Sequence, residues 1–347
     1  MTCGQRLTPS FTVRRTNLEK IYLDKDVYTA LQERLDFIFK EFDNIYISFS
    51  GGKDSGLLYQ LVLKYMSDRG IKRQIGLFHQ DFEAQYAKTT EFVTRIFDGK
   101  PDFVDPFWVC LPMGCKTNLS NYDLYWYPWD PDQQDIWVRP MPDRPDIINL
   151  NNNPLTYYTL KMPQEDLTKQ FGRWYQGHCG GGKTIGLLGL RASESLNRYS
   201  AIVNKRHGYQ GHNWITAQFK DVYTASPLYD WGTEEVWIAT GRFGLDYNRL
   251  YDLMYKAGVP LSEMRVASPF NEWAAQSLNL YRIIEPKTWT KLVGRIQGAN
   301  FGAIYGGTKA MGYREITLPP GHTWKSYTLF LLSTLPPALR YQYWSRF

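Results

Sequence analysis

Residues 45–65, IYISFSGGKDSGLLYQLVLKY, limit the possible folds more than any other stretch of this chain. An apolar run stops at Ser-Gly-Gly-Lys-Asp-Ser and resumes at helical spacing, with Leu57, Leu58, Leu61, Val62 and Tyr65 on one side. A run without polar alternation belongs to a strand covered on both faces, as in a parallel sheet. The spacing therefore predicts a strand over 44–50, a tight glycine corner and a helix over 54–68. Around it the same grammar continues. Residues 28–42 read as a helix, 73–80 as a second strand, 84–98 as a second helix and 102–111 as a third strand interrupted by Pro106. Strand, helix, strand, helix, strand predicts an α/β fold: a Rossmann-like parallel sheet with helices on both faces.

The alternation breaks near residue 112. Residues 112–182, including YDLYWYPWDPDQQD and NLNNNP, are rich in Pro, Asn, Trp, Tyr and Asp and predict an insertion that is largely loop. KTIGLLGLR (183–191) restores a strand, and SESLNRYSAIV (193–203) reads as its helix, with Ser193 as N-cap and Glu194 in the first turn. A β-like excursion over 204–224 follows, then helices around 233–242 and 246–257. Beyond about 271, helical stretches (271–284, 286–297, 324–333) alternate with Gly-rich loops. The division expected is an α/β part over 1–270 and a mainly helical part over 271–347.

The glycine corner points to an anion. A helix that starts directly after a strand presents its first backbone N–H groups outward, with about half a positive charge at that end. Gly51 and Gly52 permit a sharp turn and close approach, Lys53 adds a cation, and Ser48, Ser50 and Ser55 add hydroxyl donors. An ordinary capped turn would not crowd a lysine and three serines together. The corner is not a Walker A loop, because Ile47 stands where that pattern needs its first glycine. A second stretch, GHCGGGKT (177–184), fits the Walker A spelling, but an apolar strand-like run follows its glycines where a helix is required. It reads as a hinge into the fourth strand. His79, at the end of the second strand, reads as a packed histidine rather than a base. Trp231 and Trp237 read as packing residues.

SFSGGKDS resembles the pyrophosphate-binding loop of the adenine nucleotide α-hydrolase superfamily, which includes ATP pyrophosphatases and phosphoadenosine-phosphosulfate (PAPS) reductases. Three further blocks are similar to the PAPS-reductase-like branch: GLFHQDFEAQYAKTTEFV (76–93), GLRASESLNRYSAI (189–202) and SPLYDWGTEEVWIATGRFGLDYNRLYDLMYKAG (226–258). Together the blocks cover roughly residues 25–270. Within that branch the sequence looks most similar to prophage coactivators of the immunoglobulin-binding-regulator type, which pair with a ParB-like partner.

The resemblance implies an adenine nucleotide, ATP or PAPS, with its phosphates on Ser48, Ser50, Gly51, Gly52, Lys53 and Ser55. It implies cleavage of the ATP α–β bond, with Lys53 stabilising pyrophosphate and Mg²⁺ held by Asp54 and Asp81. Arg191 and Arg198, with Glu194 and Ser195 of the Glu-Ser segment, are the expected second phosphate clamp; a structural ion-pair cluster is the competing reading. Thiol-dependent PAPS reduction is not expected, since the last cysteine is Cys179 and no thiol follows it. The cysteine ligands of an iron–sulfur cluster are missing too. The alternative to an ATP-using enzyme is a non-catalytic regulatory or DNA-associated protein, motivated by the basic, aromatic run over 287–314.

Bulk properties agree with these readings. The net charge of +6 favours anionic partners such as nucleotides or nucleic acid. Cys3, Cys110, Cys115 and Cys179 form no CxxC pair, and the 110/115 spacing fits neither a zinc half-site nor a redox motif. They read as reduced thiols of a cytoplasmic protein. No apolar run reaches about 18 residues, and the first residues lack the apolar segment of a secretion signal.

Overall fold

The computed structural model describes residues 23–117, 119, 124–203, 208–270, 274–296, 298–299 and 318–344. Helix α1 (Val27–Glu41), β1 (Asn44–Ser48), α2 (Lys53–Asp68), β2 (Ile75–Gln80), α3 (Ala87–Asp98) and β3 (Val104–Val109) follow the order that the apolar spacing predicts. Next come β4 (Cys115–Lys116), β5 (Tyr125–Trp126), a 3-10 helix (Pro131–Ile136), β6 (Ile147–Ile148) and α4 (Gln164–His178). Then follow β7 (Thr184–Leu188), α5 (Leu196–Val203), β8 (Gly208–Tyr209), β9 (His212–Phe219), β10 (Val222–Ala225), α6 (Thr233–Arg242) and α7 (Leu250–Lys256). The remaining helices are α8 (Ala274–Ile284), α9 (Pro286–Arg295), α10 (Trp324–Ser333) and α11 (Pro337–Trp344).

Eight strands form one sheet in the order β6-β3-β2-β1-β7-β10-β9-β8. β1 runs parallel to β7, β7 to β10, and β3 to β6, whereas β9 is antiparallel to β10 and to β8. The fold is thus α/β and Rossmann-like, with an antiparallel edge. No described helix is long and apolar enough to cross a membrane.

The chain divides into two compact units. The first comprises Met1–Phe49, Lys53–Gly76 and Tyr175–Asp246. In it the β1–β7 register sets Ile45 opposite Ile185 and Ile47 opposite Leu187, all four fully buried. Leu31, Leu35 and Ile38 of α1 and Leu58 and Val62 of α2 are sealed as well. Each such side chain contributes roughly 1.5–3 kcal/mol on leaving water. Asp26 caps α1 by accepting from the Thr29 N–H at 2.7 Å.

The second unit comprises Ser50–Gly52, Leu77–Trp174 and Tyr247–Phe347. Here Phe78 stacks on Phe171 with ring centroids 4.0 Å apart, and Tyr86 stacks on Tyr281 at 3.6 Å. A buried ion pair ties its distant segments together. Glu83 accepts from Arg295 at 3.0 Å, from the Trp129 N–H at 3.0 Å and from the Val138 N–H at 2.8 Å. Arg295 also donates to Tyr127 O at 2.7 Å and to Gln133.

Three local expectations change. The 112–182 segment is mostly irregular, as its composition predicts, but it also contains the 15-residue helix α4 and donates β6 to the sheet. Strand β3 runs through Pro106 without a break. Helix α3 begins at Ala87 rather than 84, because residues 81–86 form a turn in which Glu83 has φ 62°. Ser193 is not an N-cap, because Ala192–Glu194 is a short 3-10 turn; the cap of α5 is Ser195, whose Oγ accepts from the Arg198 N–H at 3.2 Å. As read from the glycine order, GHCGGGKT closes a helix, passes through three left-handed glycines (Gly180–Gly182) and enters β7. The basic run over 287–314 lies outside the described residues beyond 299, and so does Cys3.

Candidate functional site

The turn between β1 and α2 is where the sequence concentrates its polar groups. In the first unit, α2 opens with Lys53, Asp54 and Ser55, each buried despite being polar. Burying an ionised group is costly unless a partner compensates it. The compensation is a relay of alternating charge. Lys53 Nζ donates to Asp54 Oδ2 at 3.0 Å, and Arg191 Nε donates to Asp54 Oδ1 at 2.6 Å. Arg191 lies 3.6 Å from Glu194, which also pairs with Arg198.

Arg191 is only 3% exposed and spends its remaining donors on Ser193 Oγ (3.2 Å), Thr233 Oγ1 (3.2 Å) and Trp231 O (3.4 Å). A guanidinium so fully engaged fixes its neighbours. The structural reading of the arginine cluster therefore applies to Arg191, which holds Asp54 and through it Lys53. Arg198 stands at the open end of the relay, with 40% of its side chain exposed. A further residue escaped the sequence reading. A Cβ on Gly189 would lie 2.7 Å from Ser55 N, so the backbone after β7 rests directly on the first turn of α2. Its signal was a glycine ending a strand, which marks close backbone approach.

In the second unit, Gly51 has φ +76°, the left-handed region that only glycine enters cheaply. A Cβ there would meet Thr89 Cγ2 and Val93 Cγ2 at 3.0 Å. Asn248, fully buried, donates to Gly51 O at 2.9 Å and to Thr89 Oγ1 at 3.0 Å, and its Oδ1 accepts from the Leu250 N–H. Asn248 was also missed, although an asparagine just before a helix is a known cap signal. The Gly52 N–H donates to Ser50 Oγ at 3.3 Å.

Asp81 belongs to the second unit and is completely buried. Its Oδ1 accepts from Arg139 and from the Glu83 N–H (2.8 Å), and its Oδ2 accepts from Trp108 Nε1 at 2.8 Å. Burial alone would raise its carboxyl, but the Arg139 charge prevails and holds it below the usual range. Both expected Mg²⁺ ligands are therefore committed on both oxygens, Asp54 to Lys53 and Arg191, Asp81 to Arg139, Trp108 and a backbone N–H. As held, they do not fit a cation. Among the described residues no trio of His, Cys, Asp or Glu gathers at metal-binding range. His79 is 1% exposed and packs edge-on against Trp108. Trp231 is buried at 1% exposure. Cys110 and Cys115 are buried with thiols pushed far up by desolvation, while Cys179 is exposed.

Fold and turn together define an α/β protein with a glycine-cornered, lysine-bearing turn after its first sheet strand. The chain belongs to the family of the uncharacterized protein YbdN of Escherichia coli (strain K12): the two are 33% identical over 326 residues, 92% of this chain and 78% of that protein. Residues 258–347 match the family described as a domain of unknown function, DUF3440. Solved structures similar to this chain include the PAPS reductase of Candida auris in a phosphate complex, at 13% identity, TM-score 0.36, over 69% of this chain and 87% of that one. The U34-tRNA thiolase NcsA of Methanococcus maripaludis matches at 11% identity and TM-score 0.38, over 86% of this chain and 82% of that one.

Proposed function

We propose that this protein binds an adenine nucleotide, ATP or PAPS, with its phosphates on the Ser48–Ser55 turn. The observation that carries this reading is the held lysine: Lys53 is 5% exposed, at the head of α2, on a carboxylate that Arg191 grips from its other oxygen. Such an ammonium group, with the positive end of α2, matches the charge of a phosphate chain.

The reaction proposed is cleavage of the ATP α–β bond. A nucleophilic acceptor attacks the α-phosphorus, pyrophosphate departs, and the acceptor carries away the adenylyl group. The protein's part is positioning and charge neutralisation. Lys53 and the α2 N–H groups offset charge on the departing pyrophosphate, while Ser48, Ser50 and Ser55 orient it by hydrogen bonds. Arg191 acts through Asp54, and Arg198, at the open end of the relay, reaches a second phosphate group. Incubation with α-labelled ATP tests the chemistry. Labelled AMP or an adenylylated acceptor, lost in Lys53→Ala, is expected; intact ATP after long incubation with candidate acceptors would restrict the protein to binding.

A further inference from the structure

The second unit contains a cavity of about 450 Å³ lined by Gln134, Trp137, Arg139, Pro140, Met141 and Lys291. Small-molecule pockets span roughly 300–1,000 Å³, so one small ligand fits. None of these residues belongs to the turn or its relay. They come from the 3-10 helix Pro131–Ile136, the segment after it, and α9.

The lining combines one fixed cation, Arg139, and one exposed cation, Lys291, with a held flat wall. Arg139 donates to Asp81 and lies 4.9 Å from the Trp129 ring centroid, which pins its guanidinium. Asp81 offsets the Arg139 charge, but no described carboxylate pairs with Lys291, so the lysine leaves the cavity net positive. Trp137 cannot swing freely: its Nε1 donates to Asp130 O at 2.9 Å and its ring stands edge-on to Trp129 at 5.1 Å. Gln134 adds an amide able to donate and accept, and Met141 a polarisable thioether. An indole held in place offers a stacking face worth roughly 1–3 kcal/mol to a nucleobase. The adjacent cations suit a phosphate.

We propose that this cavity binds a nucleoside phosphate, with the base against Trp137 and the phosphate at Lys291 and Arg139. It is a second site, independent of the nucleotide on the turn. The ligand is either a free nucleotide or one unit of a single strand, and the same recognition serves both.

The test uses the full-length Lys53→Ala protein, in which the turn binds more weakly, and the second site is read from what Lys291→Glu and Trp137→Ala remove in that background. Calorimetric titration with AMP and with a short single-stranded oligonucleotide is compared with adenosine and with inorganic phosphate. Binding of AMP or the oligonucleotide is expected, tighter than either half-ligand alone. Lys291→Glu, at an exposed position that folding tolerates, and Trp137→Ala are each expected to weaken it roughly tenfold or more. An oligonucleotide that binds more tightly than AMP assigns the site to a strand; equal or weaker binding assigns it to the free nucleotide. The proposal is overturned if neither ligand binds, or if binding survives either substitution unchanged.

Discussion

Arg191 Nε donates to Asp54 Oδ1 across 2.6 Å, joining a residue three positions past the end of β7 to the first turn of α2. The two positions are 137 residues apart, and both side chains are almost out of solvent. Because Asp54 holds Lys53 with its other oxygen, the arginine sets the position of the ammonium group without needing to touch a ligand.

That arrangement predicts what Arg191→Ala does. Removing Arg191 leaves Asp54 with Lys53 as its remaining charged partner among the described contacts, so the cost lies below the roughly 3–5 kcal/mol of a buried charge left wholly unpaired. Nucleotide affinity should fall as Lys53 loses its fixed place. Arg191→Lys should not rescue it, because one ammonium group cannot replace bonds made in four directions. Urea unfolding and calorimetry on both variants check this; full affinity in Arg191→Ala would remove the positioning role.

Gly51→Ala is predicted to destabilise the protein by about 1–2 kcal/mol from the left-handed backbone alone, with more from the 3.0 Å approach to Thr89 and Val93. Gly52→Ala should be milder, since the nearest neighbour of its Cβ is the Ser50 hydroxyl at 3.3 Å. Paired denaturation curves decide, and equal costs at the two positions would contradict the geometry.

The Glu83–Arg295 pair is 0% and 1% exposed at its side chains. Arg295→Met should therefore cost about 3–5 kcal/mol, and adding Glu83→Gln should recover part of that by removing the stranded charge. A double variant less stable than the single one would show that the pair is not the central contact.

Asp81 predicts a pH dependence. Its folded carboxyl titrates below its ordinary value of 3.8, so the unfolded chain binds the proton first as pH falls. The stability this group contributes is present above about pH 4 and is lost as pH drops through the folded value. Arg139→Gln removes the largest lowering influence, while the N–H donors of Glu83 and Trp108 still favour the charged form, so the carboxyl rises relative to the wild type. The stability that Asp81 contributes should shrink, and the variant should lose less of it on acidification. Denaturation midpoints measured from neutral pH down to about pH 3 distinguish the two proteins.

Much of this architecture was legible because its signals are local. The apolar runs at Ile45–Ile47 and Ile185–Leu187 show strands buried on both faces, and SGGKDS between strand and helix shows the turn. Helix α4 was legible in principle: Leu167, Phe171 and Tyr175 recur every four residues and are all buried, but Pro- and Asn-rich neighbours masked the spacing. What stayed hidden depends on residues far apart in sequence. Nothing local to Glu83 announces Arg295, and nothing near Gly51 announces Asn248, 197 residues away. β6 is two residues long and exists only because β3 is there to pair with it. The same limit explains the role of Arg191: its residue type suggested phosphate, whereas its partners show a support for Asp54.

The most direct measurement is calorimetric titration of ATP into the wild-type protein and into Lys53→Ala. Saturable binding by the wild type, weakened roughly tenfold or more by the substitution, is the predicted result. No binding by the wild type, or equal binding by both proteins, would contradict the claim that the turn after β1 grips a nucleotide's phosphates.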